Sequence, residues 1–436
     1  MPDNVILENH SVVIQGETIL ALLPTLQAKS LYPEALEHLY PQSLMIPGLI
    51  NAHSHAAMSL LRGAGDDMPL KEWLENRIWP LEGKLVSPEF VFDGTVLAAY
   101  EMLMGGITCF NDMYFFPEST ARAAKAMGMR ANLGIVVFEF PSSYGSGPAD
   151  YLSKGLKLRD ETLRDDDSAN RLLSFCLAPH APYTVSNDSF AKVATLANEL
   201  GLGIQTHLHE TEFEIAQSIS EHGKRPIERL AEIGLLGPDF VAIHGVHLTE
   251  GDIDLLRDAK ASVVHCPHSN LKLASGLAPI AELLAAGLSV AIGTDGSASN
   301  NRLDLLSETH TASLLSKGIT ANAQAFNARQ ALYSMTMAGA FAVGRSAEIG
   351  SIEPGKQADI AVFDFSPVEM QPVHDAISHL IYAAHRSNVS DVWICGKPVV
   401  QKRQLAHSGA KATVSEVVAR SGLWHNKVSE MLVCNP

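Results

Sequence analysis

From about residue 45 to residue 320 one pattern recurs along the chain. A short β-branched or apolar run ends in a polar residue, and a stretch of helical period follows. The runs are residues 45–52, 106–111, 131–138, 172–178, 203–206, 240–243, 262–264 and 289–293. Helical patterns lie between them, such as 189–200, which Gly201 closes where a C-cap glycine belongs, and 251–258. Strand–helix alternation of this kind predicts a parallel sheet with crossover helices, and eight repeats match a (β/α)8 barrel. A doubly wound open sheet is the rival architecture, but no GxGxxG follows any of the runs.

The barrel is expected over residues 46–344. Residues 1–45 read instead as short β-segments split by a turn at Gly16, and β character returns at 359–365 and 391–400. Residues 1–45 and 345–436 are therefore expected to form one small β-sandwich domain built from both ends of the chain. Residues 325–341 read as a packing helix, and Pro141 to Gly147 reads as a mobile loop by composition.

Lys and Arg total 32 against 48 Asp and Glu, a formal net charge of −16. A surface this acidic argues against nucleic acid and against an anionic membrane as partner. No basic, apolar leader opens the sequence, and no uncharged apolar stretch reaches the roughly 20 residues that cross a bilayer. The five cysteines, Cys109, Cys176, Cys266, Cys395 and Cys434, are scattered and form no CxxC pair. Together these features predict a soluble, reduced, cytoplasmic protein.

Several runs end in a residue able to bind metal or move protons, and barrel enzymes keep their chemistry at that end of the strands. The first ends in His53-Ser54-His55, whose two imidazoles share one side of a strand. The fifth ends in His207-Leu208-His209-Glu210, the sixth in His244, and the eighth runs into Asp295. Nitrogen and carboxylate ligands from four barrel positions suit Zn²⁺ and, less often, Fe²⁺. His209 alternates with His207 and is expected to face the surrounding helices in a structural role, as is His247. His268 reads as a surface or loop residue, and His265 carries no defensible ligand role.

Pro47-Gly48-Leu49-Ile50-Asn51-Ala52-His53-Ser54-His55, His207-Leu208-His209-Glu210, His244 and Gly293-Thr294-Asp295-Gly296 resemble the amidohydrolase superfamily. Met58 to Gly63, Trp79-Pro80-Leu81-Glu82, Ala178-Pro179-His180-Ala181-Pro182-Tyr183 and Asp295 to Asn301 narrow the resemblance to its 5′-methylthioadenosine/S-adenosylhomocysteine deaminases. Gly350 to Lys356 extends it into the tail.

The resemblance implies a TIM-type metal-dependent hydrolase barrel. His53, His55, His207 and Asp295 would hold one divalent ion, zinc before iron. The fourth run ends in Leu177-Ala178-Pro179-His180, without the lysine that bridges two metals in binuclear relatives, which implies a mononuclear site. The implied reaction is hydrolytic deamination at C6 of adenine in a 5′-substituted adenosine, with release of ammonia. Glu210 would protonate purine N1, Asp295 would take the proton of the attacking water, and His244 would hydrogen-bond the incoming oxygen. Glu82 would accept from the ribose hydroxyls, His180 would contact the nucleoside, Ser299 would reach purine N7, and Trp79 would supply an apolar wall. Relatives that take S-adenosylhomocysteine well carry arginines after the third strand. Residues 131–158 contain none, so methylthioadenosine is the expected preference, and a homo-oligomer the expected assembly.

Two other readings compete. A deaminase or chlorohydrolase of another ring, guanine or an s-triazine, has no task for Glu82. A non-catalytic scaffold barrel has no reason to keep every metal ligand together with Glu210. A deaminase of the cytidine type is excluded, because no PCxxC occurs.

Overall fold

The computed structural model of the chain describes residues 5–165 and 167–434. Strands β1 (His10–Gln15) and β2 (Thr18–Pro24) form an antiparallel hairpin, and β3 (Ser43–Pro47) follows. The barrel strands are β4 (Leu49–Ser54), β5 (Ile107–Asp112), β6 (Arg130–Val137), β7 (Leu173–Pro179), β8 (Gly203–Leu208), β9 (Phe240–His244), β10 (Ser262–His265) and β11 (Ser289–Ile292). They pair in parallel in sequence order from β4 to β11. Helices cover the outside, so the strands are buried almost throughout and read as continuous apolar runs. The expected TIM-type barrel is therefore present.

The ends of the sheet meet through polar groups. The main-chain N–H groups of Thr294 and Asp295 both donate to the His53 carbonyl at 3.1 Å. The Asn51 side chain bonds the Thr294 main-chain N–H at 3.0 Å and its hydroxyl at 2.8 Å. That seam carries Asp295 to the side of His53.

The first apolar run is two strands, parted at Gly48. Strand β3 leaves the barrel and pairs with β12 (Ile360–Asp364) in an antiparallel sheet completed by β13 (Val389–Ile394), β14 (Lys397–Gln401) and β15 (Gln404–Leu405). A Cβ on Gly48 would lie 2.1 Å from the Thr108 hydroxyl, so the crossing requires glycine. The β1–β2 hairpin packs Ile19 with Ile352, Ala358, Ile360 and Val362, which gives this sheet its own apolar core. The expected β-structure from both termini is thus formed. The chain then runs on into a helix, Ser408–Cys434, that returns to the barrel: Trp424 stacks edge-on against Phe90, and Arg420 pairs with Asp93.

The helical pattern at 189–200 is the helix Asn187–Leu200, capped by the Ser186 hydroxyl and ended by Gly201 at φ +62°. Residues 325–341 hold two short helices, Ala328–Ser334 and Met337–Ala342, in place of one. Between Pro141 and Gly147 the chain forms no regular element, but the Tyr144 carbonyl accepts from Lys154 at 2.6 Å and the Ser146 N–H donates to Asp150 at 2.9 Å. No helix among the described residues is long and apolar enough to cross a membrane.

Candidate metal centre and cavity

The C-terminal ends of the barrel strands bring His53, His55, His207 and Asp295 together. One ligand atom of each lies within 4.8 Å of the others. His53 Nε2 is 3.2 Å from His207 Nε2 and 3.5 Å from Asp295 Oδ1, and His55 Nε2 is 3.1 Å from the same oxygen. Asp295 stands just beyond β11 at φ +58°, and His244 ends β9 at φ +72°. Side chains rarely occupy that left-handed region, and such strain gathers at functional sites.

The outer nitrogens test whether this group fits a cation. His55 Nδ1 lies 2.6 Å from the Met113 carbonyl, and His207 Nδ1 lies 2.8 Å from the His180 carbonyl. A carbonyl only accepts, so both Nδ1 atoms carry a proton and both Nε2 atoms face the centre, where each would offer its lone pair to a bound cation. Burial pushes His53 down to about 4 and, with the neighbouring imidazoles, His207 well below the ordinary range. Burial opposes the charge on Asp295, but hydrogen bonds from His53 and His55 hold it well below the usual carboxylate range. Burial also opposes a charged His55, yet Asp295 and the Met113 carbonyl outweigh it and lift that ring to about 9. A divalent cation supplies the same positive charge at the same place. The donor set therefore fits Zn²⁺ or a similar ion.

A cavity of about 430 Å³ opens over this group, lined by His55, Glu82, His180, Glu210, His244 and Asp295 together with aromatic residues. Glu210 is buried just past β8, where its carboxyl accepts from Ser275 Oγ at 3.3 Å and lies 3.6 Å from His244 Nε2. Burial, with the Asp295 charge beside it, pushes Glu210 up to about 8. His244 Nδ1 lies 2.8 Å from Asn270 Oδ1, and burial lowers the ring. Glu82 sits in the first turn of the helix Trp79–Leu85, accepts from the Tyr114 hydroxyl at 2.7 Å and is raised by burial to about 7. His180 follows β7, stacks on Phe138 at 4.7 Å, and is lowered to about 3, mostly by burial. Trp79 meets Phe140 edge-on at 6.1 Å and lines the cavity.

Ser299 stands apart from the other expected substrate contacts. Its hydroxyl donates to Asp295 Oδ2 at 2.9 Å, where Ser269 also donates at 2.6 Å, and it does not line the cavity. His209 is buried against the helices, with Nε2 accepting from the Ile227 N–H at 3.2 Å, and His247 Nε2 bonds the Ser275 carbonyl at 2.7 Å. His268 is no loop residue: it lies on the helix Pro267–Lys272 with Nδ1 2.7 Å from the buried Glu308. His265 is buried and lies outside the cavity lining. The sequence reading passed over Met113, Tyr114, Ser269, Asn270 and Ser275, which orient the residues it named. Met113 and Tyr114 are signalled only by their place just beyond β5, whereas Ser269 and Asn270 lie on the helix Pro267–Lys272 and Ser275 follows it.

A model of the amidohydrolase family matches residues 44–399. The chain belongs to the amidohydrolase family. Its relatives include the 5-methylthioadenosine/S-adenosylhomocysteine deaminase of Saccharophagus degradans, 44% identical over 98% of this chain and 94% of that one. A zinc-bound adenosine deaminase from Xanthomonas campestris superposes on this amidohydrolase with a TM-score of 0.91 at 43% identity, covering 98% of this chain and 95% of that one. The atrazine chlorohydrolase of Arthrobacter aurescens, with zinc, has a TM-score of 0.88 at 24% identity over 95% and 96% of the two chains. At that identity it shares the fold alone. The His₃Asp group of this chain fits the divalent metal site of its family.

Proposed function

We propose that this amidohydrolase is a metal-dependent deaminase that replaces the 6-amino group of adenine in 5′-substituted adenosines, 5′-methylthioadenosine foremost, releasing ammonia. The observation that carries the reading is Glu82, a half-buried carboxylate in the wall of the same cavity as the His₃Asp group. A sugar's hydroxyls satisfy the oxygen of such an acceptor that Tyr114 does not reach, whereas a bare guanine or s-triazine ring leaves that oxygen unpaired. The names of the Saccharophagus and Xanthomonas relatives support the same substrate class.

His53, His55, His207 and Asp295 are the proposed ligands of one ion, zinc before iron. A divalent ion bound there brings the pKa of a water from about 15.7 toward ~7. Asp295 takes the proton of the attacking water. Glu210, which burial keeps protonated up to about pH 8, delivers a proton to purine N1 and makes C6 electrophilic. His244, held by Asn270, hydrogen-bonds the incoming oxygen. The amino group leaves as ammonia once a relayed proton reaches it, and the ring keeps the water's oxygen. Glu82 and His180 hold the nucleoside, and Trp79 closes an apolar wall. In this reading Ser299 steadies Asp295 in place of reaching N7.

Among the described residues no lysine or arginine lines the cavity, and Trp79, Phe115, Phe138, Phe140 and Pro141 do. That lining supports the methylthio compound over S-adenosylhomocysteine, whose carboxylate finds no lysine or arginine there. A panel of 5′-substituted adenosines scored by ammonia release tests the proposal. Methylthioadenosine is expected to give the highest kcat/KM. Faster turnover of guanine or an s-triazine contradicts the nucleoside reading, and a clear preference for S-adenosylhomocysteine contradicts the choice among nucleosides. Cys109, Cys176, Cys266 and Cys395 are free thiols, which supports a reducing, cytoplasmic setting. Family resemblance supports a homo-oligomer, which light scattering on the purified chain checks.

A further inference from the structure

Tyr114 has no part in the chemistry above, yet its surroundings join the two halves of the site. It follows Met113, whose N–H donates to the Ser54 carbonyl at 3.0 Å and whose own carbonyl accepts from His55 Nδ1 at 2.6 Å. One dipeptide therefore grips the end of β4, fixes a metal-facing imidazole, and extends a buried phenol to Glu82 Oε1 at 2.7 Å. The second oxygen of Glu82 takes no hydrogen bond from the described residues, and Glu82 lines the cavity. Nothing else among those residues ties the Glu82 carboxylate down: its helix, Trp79–Leu85, has no side-chain cap.

We infer that Tyr114 is a positioning residue for substrate selection: its hydroxyl occupies one oxygen of Glu82 and holds the carboxylate so that the other receives a hydroxyl of the substrate's sugar. The inference rests on the proposed sugar-binding role of Glu82. Its physical content is an ordered acceptor. A carboxylate that keeps one charge-assisted bond from the protein is held in one rotamer, and the ligand does not have to order it on binding. Tyr114 thereby discriminates between nucleosides with a hydroxylated sugar and those without one.

The test is Tyr114→Phe in the full-length, metal-loaded enzyme, since it keeps the ring and its packing and removes one oxygen. KM for the preferred adenosine is expected to rise about tenfold, as loss of a hydrogen bond to a charged group warrants, while kcat changes less than about twofold. The 2′,3′-dideoxy form of the same substrate is expected to show the same KM in both proteins. The acidic rise of KM is also expected to move to higher pH in the variant, because the phenol opposes the effect of burial on Glu82. An unchanged KM for the ribose substrate, or an equal rise for the dideoxy one, overturns the inference. If the wild-type enzyme itself handles ribose and dideoxyribose substrates alike, the sugar-binding reading of Glu82 fails first, and the inference falls with it.

Discussion

Two buried polar clusters lie in different parts of this barrel, and they differ in whether they are complete. Near the start of β6, Arg130 donates through Nε to Asp359 Oδ2 at 2.5 Å and through a terminal nitrogen to Oδ1 at 3.0 Å. Its remaining N–H groups reach the Arg171 carbonyl, Gln357 and Cys395 Sγ, and Asp359 also accepts from the Cys395 N–H at 2.9 Å. Every charge there has its opposite, and the pair ties the barrel to the terminal sheet. At the C-terminal ends of the strands, three imidazoles and one acid turn their inner atoms toward one point, while outer nitrogens of two are fixed by carbonyls. The first cluster is satisfied by the protein alone. The second is built for a guest, and burial with unspent lone pairs marks it as the functional one.

The sharpest way to break this contrast is Asp295→Asn. The variant is expected to lose well over the roughly 10–100-fold in metal affinity that loss of an outer partner costs, and deamination with it. Metal titration and ammonia release check it. Glu210→Gln is expected to lower kcat by about 10²–10⁴ while metal content stays unchanged, since Glu210 is assigned a proton and no share of the ion.

The same assignment fixes a pH dependence. Glu210 is raised to about 8 and acts in its neutral form, so kcat holds below that pH and falls as pH climbs through it. Glu82 is raised to about 7 and acts as a carboxylate, so KM rises as pH drops through that value. Initial rates across the range separate the two limbs.

In the other cluster, Arg130→Met is expected to cost about 3–5 kcal/mol by leaving Asp359 buried and unpaired, with metal content and kcat of the folded fraction unchanged. Denaturant unfolding beside metal analysis reads both. The smallest effect belongs to Ser269→Ala, which removes one of two hydroxyls on Asp295 Oδ2. A loss of roughly tenfold in metal affinity is expected, and a variant that binds metal as tightly as the wild type would show the serine to be packing only.

What the sequence made legible follows from the same physics. The parallel strands are covered by helices, so each appears as an apolar run, and the run ends display the histidines in order. Apolarity reports burial without reporting which sheet does the burying, which is why residues 45–52 read as one strand. Only the contact of Gly48 with Thr108, sixty residues later, divides it. The partners of Ser299 and His268 are hidden for a similar reason: the hydroxyl of Ser269 and the carboxylate of Glu308 that bond them lie 30 and 40 residues away. Tyr114 is hidden among Met113, Phe115 and Phe116, where a phenol reads as one more apolar ring. The helix Ser408–Cys434 lies within residues 345–436, which read as part of the β-domain, and it packs back on the barrel through contacts such as those of Trp424 and Arg420.

The account turns on one ion held by four side chains, and elemental analysis of the purified chain measures that directly. About one divalent ion per chain is predicted, zinc before iron, falling away when His53 and His55 are both replaced by alanine while the far Arg130–Asp359 pair keeps the barrel folded. Full ammonia release from chain without bound metal, or metal retained undiminished by the double variant, would contradict it.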